Sequence, residues 1–411
     1  MHAAAAPAAA APRRGTRAPS PWLDEAPPAL RPARLPGSAE VAVVGGGVIG
    51  TAAAYWLARA GAEVLLLEAR LPAWGASGRN AGLVLGGPAS LELVRGVMAD
   101  EGIDAGWHEP GHLALASSAA VLERFRAELA ARPPGAAPLE VLDPAACRAL
   151  LGTRISPRFH GGRWMPRAGA LHPARFVRGL AEAAVRHGAT VAEGTPVLSL
   201  SPGRGEGWEV RTRRRTVRAR WVVLACNARG ARLLPPLAPV LSPSRGQMLA
   251  TRPLPPLFGP AMAVDYGTVY WRQLGDGSVL IGGCREADPE AERSDRAAVN
   301  PRIQAALEAF LPGAFPDLGP VSVARRWAGI MDATPDGRPL VGAWPGTPGV
   351  WIAAGFGGHG LPPALGAGKA LARAIVEGVA PPELEPMDPA RLAGTTRCRA
   401  GAETALPWRA T

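Results

Sequence analysis

The sequence predicts an α/β protein of two domains, and three observations carry that prediction. A strand, a glycine turn, a helix and a second strand follow one another over residues 40–68. Strand-rich segments with hairpin spacing occupy the middle of the chain, and a strand, a glycine loop and a helix come near its end. The 411 residues, 47% of them hydrophobic, suffice for two compact units with substantial cores.

The first unit reads "EVAVV", a short buried strand, "GGGVIG", a turn, "VIGTAAAYWLARAG", a helix stopped at Gly61, and "AEVLLLE", a second strand. That order builds a Rossmann-like βαβ unit. Its glycines fall as Gly45-x-Gly47-x-x-Gly50. The first permits a tight turn, the second lets a pyrophosphate approach the backbone, and the third lets the helix pack closely on the strands. Val48 and Ile49 open the helix whose first amides face the phosphates. Glu68 ends the second strand, where a carboxylate accepts hydrogen bonds from an adenosine ribose and repels a 2′-phosphate. The unit is expected to bind a dinucleotide other than NADP.

Farther along, "RWVVLACNARGARLLP" supplies another strand. "GTVYWRQ" and "GSVLIGG", joined by the turn "LGDG", form a hairpin. On its first strand Tyr270 and Arg272 share one face by period-2 alternation, presenting a phenol and a guanidinium to a cavity; the alternative is a surface arginine on a sheet edge. The segment "GVWIAAGFGGHGLPPALGAGKALARAIVEG" is strand, glycine loop and helix, with Pro362 and Pro363 where a first helical turn tolerates proline. A helix beginning near Leu361 offers free amides and partial positive charge at its start.

Composition excludes more than it identifies. The formal charge of +11 is nearly all arginine, with Lys369 the single lysine. The densest cluster, "RTRRRTVRAR" (Arg211 to Arg220), lies between "WEV" and "WVVLA" and reads as a solvated hairpin rather than a nucleic-acid surface. Cys147, Cys226, Cys284 and Cys398 form no C-x-x-C pair, which argues against a disulfide framework or structural zinc and for a reducing, cytoplasmic setting. Residues 1–36 read as a disordered Ala/Pro-rich tail without a signal peptide's apolar core, and 381–411 as a C-terminal tail. No apolar run reaches the ~18 residues a membrane span needs. "HEPGH" (His108 to His112) matches a zinc-protease pattern in letters, but Pro110 and Gly111 break the helix that would align its histidines. No metal site is expected.

Four ordered blocks, "GGGVIG" with Glu68, "GASGRNAG", "RWAGIMDATPDGRPLVG" and "GFGGHG", resemble the D-amino acid oxidase-like superfamily of FAD-dependent oxidoreductases over roughly Ser38 to Gly378. Within it, "GASGRNAG", "LACN" and "RGQMLAT" are most similar to the γ-glutamylputrescine oxidase group. The resemblance implies FAD, and it places the loop Trp74 to Val84 beside the pyrophosphate and flavin ring. Small residues there, among them Ala76, Ala81 and Gly82, would let backbone amides approach a flat ring, while Ser77, Arg79 and Asn80 can bond phosphate, ribityl chain or flavin edge. It also aims the last helix at the flavin, with Gly357, Gly358, Gly360 and Leu361 in close approach. His359 is placed to contact ring or substrate, or merely to hydrogen-bond its own loop.

Departures from relatives narrow the chemistry. Gly82 and Pro362 stand where sarcosine oxidase has an arginine and a lysine for the substrate carboxylate, and Met331 stands at the "GLRP"-like arginine of glycine and D-amino acid oxidases. Arg272 becomes the candidate cation. Gly329 and Arg79 occupy positions where relatives link flavin covalently, so FAD is expected to be non-covalent. Leu280 replaces a lysine that assists reaction with oxygen. The expected fold is a discontinuous FAD domain (37–89, 170–234, 325–380) with an antiparallel-sheet substrate domain (90–169, 235–324). The expected reaction is oxidation of an amine or amino acid to an imine by hydride transfer to flavin N5, with oxygen or an electron carrier as acceptor. The alternatives are a flavin-dependent dehydrogenase of another small molecule and a non-catalytic protein stabilised by FAD.

Overall fold

The computed structural model describes residues 19–25, 30, 33–133 and 135–393. Two eight-stranded sheets organise them. The first runs, in spatial order, Leu340–Ala343, Val350–Ala354, Thr216–Leu224, Ser38–Val44, Val64–Leu67 and Thr190–Ala192. From Val350–Ala354 to Thr190–Ala192 neighbouring strands are parallel, as βαβ crossovers require. Val41, Val43, Leu65 and Leu66 are fully buried, because helices cover one face and loops the other. The Arg-rich segment is the expected hairpin, Trp208–Thr212 pairing antiparallel with Thr216–Leu224, and Val197–Pro202 adds the eighth strand beside it.

The second sheet runs Val323–Ala333, Ser242–Thr251, Val279–Gly283, Val269–Gln273, Ala261–Val264, His112–Leu115, Gly162–Met165 and Glu140–Leu142. It is antiparallel except where Ala261–Val264 runs beside His112–Leu115. The helix Pro301–Ala314, capped by Asn300 accepting from the Arg302 amide, covers one face with Ile303, Leu307 and Leu311 against Leu249, Trp271 and Ile281. Each such aliphatic burial contributes about 1.5–3 kcal/mol. By alternation the other face carries Met248, Ala250, Tyr270, Leu280 and Trp327, which join the core of the first sheet's helices. The seam between the two sheets is thus a shared apolar core.

Parts of both expected tails are ordered. Ser20 to Glu25 form a short helix, Pro21–Asp24, that buries Trp22 at 3% exposure. The remainder of that tail, residues 1–18, 26–29, 31 and 32, lies outside the described residues. Near the other end Leu384 and Leu392 are buried and Arg391 pairs with Asp336 at 2.7 Å, so ordered structure runs to residue 393. An indole in one segment and spaced leucines in the other supply burial that average composition conceals. "HEPGH" is no helix: His108 makes an isolated bridge to Ala170, Gly111 has φ 73°, and His112 begins a strand. Among the described residues no His, Cys, Asp and Glu group could hold a metal, and no helix is long and apolar enough to cross a membrane.

Candidate functional site

The glycine turn is built so that larger residues do not fit. Gly45 has φ +112°, and a Cβ there would lie 2.5 Å from the Ala225 carbonyl oxygen; one on Gly50 would lie 1.9 Å from the Gly45 oxygen. The helix Val48–Arg59 therefore starts tight against the ends of two parallel strands. Gly47 caps it without a side chain, leaving its N-terminus suited to an anion. Ser77 Oγ accepts from the Val48 amide at 2.9 Å and lies 3.2 Å from where a Gly47 Cβ would be. Glu68 accepts from the Gly46 and Arg70 amides, both at 2.7 Å, while burial pushes its carboxyl above the ordinary range. Turn, helix N-terminus and strand-end carboxylate thus form the cradle that a dinucleotide needs.

Two further glycine loops reach this turn. In Trp74 to Val84, Ala76–Gly78 make a 3-10 turn, and a Cβ on Gly78 would lie 2.3 Å from the Ala73 oxygen. Asn80 braces the loop: Nδ2 donates to the Ala76 and Ser77 oxygens at 3.1 Å, and Oδ1 accepts from the Gly82 amide at 2.7 Å. Arg79 is half-buried and donates to the Trp74 and Ala328 oxygens at 3.0 and 2.9 Å, its pKa pushed down to about 10 by desolvation. Both side chains hold backbone; Ser77 and the buried Ala81 line the approach. The second loop, Gly355 to Leu361, follows Val350–Ala354. A Cβ on Gly360 would reach 4.0 Å from Ile49 Cδ1, and one on Gly358 would lie 2.5 Å from Met331 Sδ. His359 Nδ1 lies 3.0 Å from the Gly357 oxygen. The last helix is Ala364–Glu377, with Pro363 as its N-cap, three residues later than expected, because Leu361 and Pro362 each precede a proline whose ring disfavours the helical conformation in the residue before it. Gly368 brings it against Ala52 of the fingerprint helix.

Asp332 was not singled out from the sequence. Buried at 3% exposure, it accepts from the Gly355 amide at 2.9 Å, and its own backbone oxygen accepts from Gly357 at 2.7 Å. It fixes the glycine loop. Burial pushes its carboxyl up to about 6.

The second sheet supplies Tyr270 and Arg272 on the seam face, as alternation requires. Arg272 is 4% exposed, so it is not an edge arginine. Its Nη2 donates to the Leu171 oxygen at 2.9 Å and lies 3.2 Å from where a Gly82 side chain would begin; Nε and Nη1 have no hydrogen-bond partner among the described residues. Burial lowers its pKa to about 10, leaving it charged at neutral pH, and raises that of Tyr270. Leu280 lies fully buried in the seam. Lys369 Nζ stacks 5.2 Å over Trp56 on the helix layer, away from this face.

A parallel sheet with a glycine turn at its strand ends, a carboxylate one strand over, and a second sheet closing over two glycine loops defines a dinucleotide-dependent enzyme class. The comparisons assign the family. Residues 40–374 match DAO, the FAD dependent oxidoreductase family, and the chain belongs to it. A probable oxidoreductase OrdL of Rhizobium meliloti is 31% identical over 82% of this chain and 83% of its own. Mouse mitochondrial dimethylglycine dehydrogenase is 27% identical over 86% of this chain, which spans 44% of that relative's length. L-proline dehydrogenase of P. horikoshii shares the fold, with a TM-score of 0.77 and 22% identity over 87% of this chain and 98% of that one.

Proposed function

We propose that this chain oxidises the C–N bond of a primary or secondary amine, or of an amino acid, to an imine, with FAD held without a covalent bond. The observation that carries the substrate side is Arg272: a buried guanidinium with Nε and Nη1 unpartnered, set beside Gly82 on the loop next to the fingerprint helix. A carboxylate placed there would complete its hydrogen bonding, doing from the facing sheet what relatives do from other positions. Bound FAD supplies the acceptor for the hydride removed from the substrate's α-carbon.

The chain's own residues orient and shield. Gly45, Gly47, Val48, Ile49, Gly50, Ser77 and Glu68 would hold pyrophosphate and ribose, and the loops through Ala76, Arg79, Asn80, Ala81 and Gly82 and through Gly357, Gly358, His359, Gly360 and Leu361 would hold the ring. Tyr270, Leu280, Met248 and Trp327 keep the seam dry, which keeps the substrate nitrogen neutral and strengthens the Arg272 contact. Non-covalent attachment is supported by Gly329 and Arg79, which sit side by side (3.4 Å from the Gly329 Cβ position to Arg79 Cβ) and offer no linking nucleophile. With Leu280 in the seam and Lys369 outside it, slow reaction of the reduced protein with oxygen is expected, favouring an electron carrier as acceptor.

One experiment tests the whole reading. The purified protein should be yellow, release intact FAD on denaturation, bleach anaerobically with some member of an amine and amino acid panel, and recolour slowly in air. Flavin that stays on the denatured chain refutes non-covalent binding. Bleaching by 2-hydroxy acids or NADH with every amine inert refutes amine oxidation.

A further inference from the structure

The segment Ser20 to Glu25 lies outside the matched span of residues 40–374, yet its bonds end on the site. Ser20 Oγ donates to the Gly78 oxygen at 2.5 Å and Trp22 Nε1 to the Asn80 oxygen at 2.7 Å, both on the loop beside the fingerprint helix. Asp24 pairs with Arg325 on the strand that bears Trp327. The indole of Trp22 packs edge-on against His172 at 4.7 Å and lies 5.1 Å from the Arg272 guanidinium carbon. His172 Nδ1 accepts from the Arg175 amide, and the ring lines, with Trp22, Glu25, Leu171 and Arg272, a pocket of about 270 Å³.

Arg272 needs such a neighbour. Its single hydrogen bond, to the Leu171 oxygen, leaves the guanidinium free to turn about that contact, and a buried arginine that turned inward would take its donors away from a ligand. A ring face across the guanidinium restrains its plane without consuming an N–H. An acidic partner would restrain it too, but would neutralise it.

We propose that Trp22 is the positioning residue for Arg272, holding the guanidinium so that Nε and Nη1 remain available to the carboxylate of an anionic substrate. Recognition of that carboxylate then depends on a segment at the start of the chain as well as on the second sheet. This rests on the reading of Arg272 as the carboxylate site.

The test uses holoenzyme and two unreactive probes, propionate and its neutral counterpart propionamide, followed by the flavin difference spectrum and by calorimetry, with FAD content measured for each variant. Trp22→Phe keeps a ring and loses the bond to Asn80; Trp22→Leu fills the space with no ring, and Trp22→Met replaces it if the leucine variant does not fold. We expect Phe to bind propionate within about three-fold of wild type and Leu roughly ten-fold more weakly, with propionamide binding and FAD content unchanged. In an Arg272→Gln background, Trp22→Leu should have no further effect on propionate. If Trp22→Leu binds propionate as wild type does, or weakens it equally in the Arg272→Gln background, the role of Trp22 is overturned while Arg272 stands. If Arg272→Gln alone leaves propionate binding unchanged, the carboxylate reading falls and this inference with it.

Discussion

The turn Gly45 to Gly50 and the seam face around Arg272, the two halves of the proposed site, are made in opposite ways. The turn is backbone, six consecutive residues whose shape follows from missing side chains and whose amides find partners nearby in Glu68 and Ser77. The seam face is side chain. Arg272, Trp22, Leu171 and Asn80 come from four segments far apart in the chain, and part of the polar capacity stays unspent. A backbone cradle tolerates almost no substitution and carries little specificity. A side-chain face tolerates more and sets what is bound.

The contrast breaks hardest at Gly50. A Cβ placed 1.9 Å from the Gly45 oxygen cannot be relieved by a rotamer, so Gly50→Val should separate helix from strand and give protein that is colourless and unstable. At Gly47 the nearest atom to a new Cβ is Ser77 Oγ at 3.2 Å, so Gly47→Leu should fold but lose its flavin. Melting temperature and flavin content separate the two. Full flavin occupancy in Gly47→Leu would show the pyrophosphate lies elsewhere.

Asp332 extends the cradle by one side chain and should behave as part of it. Its folded pKa of about 6 stands above the unfolded value of 3.8, so the native state holds the proton more tightly. The stability contributed by this one group is therefore fully present below about pH 4 and is lost as pH rises through about 6, a change of at most about 3 kcal/mol. Asp332→Asn keeps an oxygen for the Gly355 amide and removes the charge, so it should abolish that part of the pH dependence. Urea melts of both proteins at pH 4.5 and 7.5 read it directly. Equal pH dependence in the two would mean that Asp332 is not the titrating group.

How legible each region was follows from the same difference. The βαβ unit, the hairpin carrying Tyr270 and Arg272, and the solvated Arg-rich hairpin all rest on local periodicity and turn chemistry, and the structure has each of them. Trp22 was hidden by the Ala and Pro around it, although "SPWLD" carries a start signal: a serine, then proline at the first helical position, then an acid in the first turn. Asp332 had no signal at all, because its role depends on Gly355 arriving from another strand. Asn80 and Arg79 were read as ligand donors from their residue types; only the three-dimensional loop shows their donors turned to backbone oxygens.

On the seam face the expected effects are smaller and depend on the substrate. Arg272→Gln should cost about 1.5–3 kcal/mol with a carboxylate-bearing amine, a loss of roughly ten- to a hundred-fold in the efficiency of flavin reduction. With an amine whose tail is uncharged the same change should do little. Stopped-flow reduction with a matched pair of substrates distinguishes these, and equal losses on both would reassign Arg272 to folding rather than recognition.

The smallest effect is expected where charge is densest. Arg213 and Arg214 are exposed at the turn between Trp208–Thr212 and Thr216–Leu224, on the hairpin at the margin of the first sheet. Exposed charges in that setting contribute within about 0.5 kcal/mol to stability, and at physiological salt their field decays over about 8 Å. Arg213→Glu with Arg214→Glu lowers the net charge by four units relative to wild type and should lower retention on a cation exchanger. Melting temperature, flavin content and reduction rate should all stay at wild-type values. A reduction or reoxidation rate that fell with this pair, and recovered at high salt, would instead make the hairpin part of an electrostatic docking surface for the electron acceptor, joining it to the side-chain half of the site.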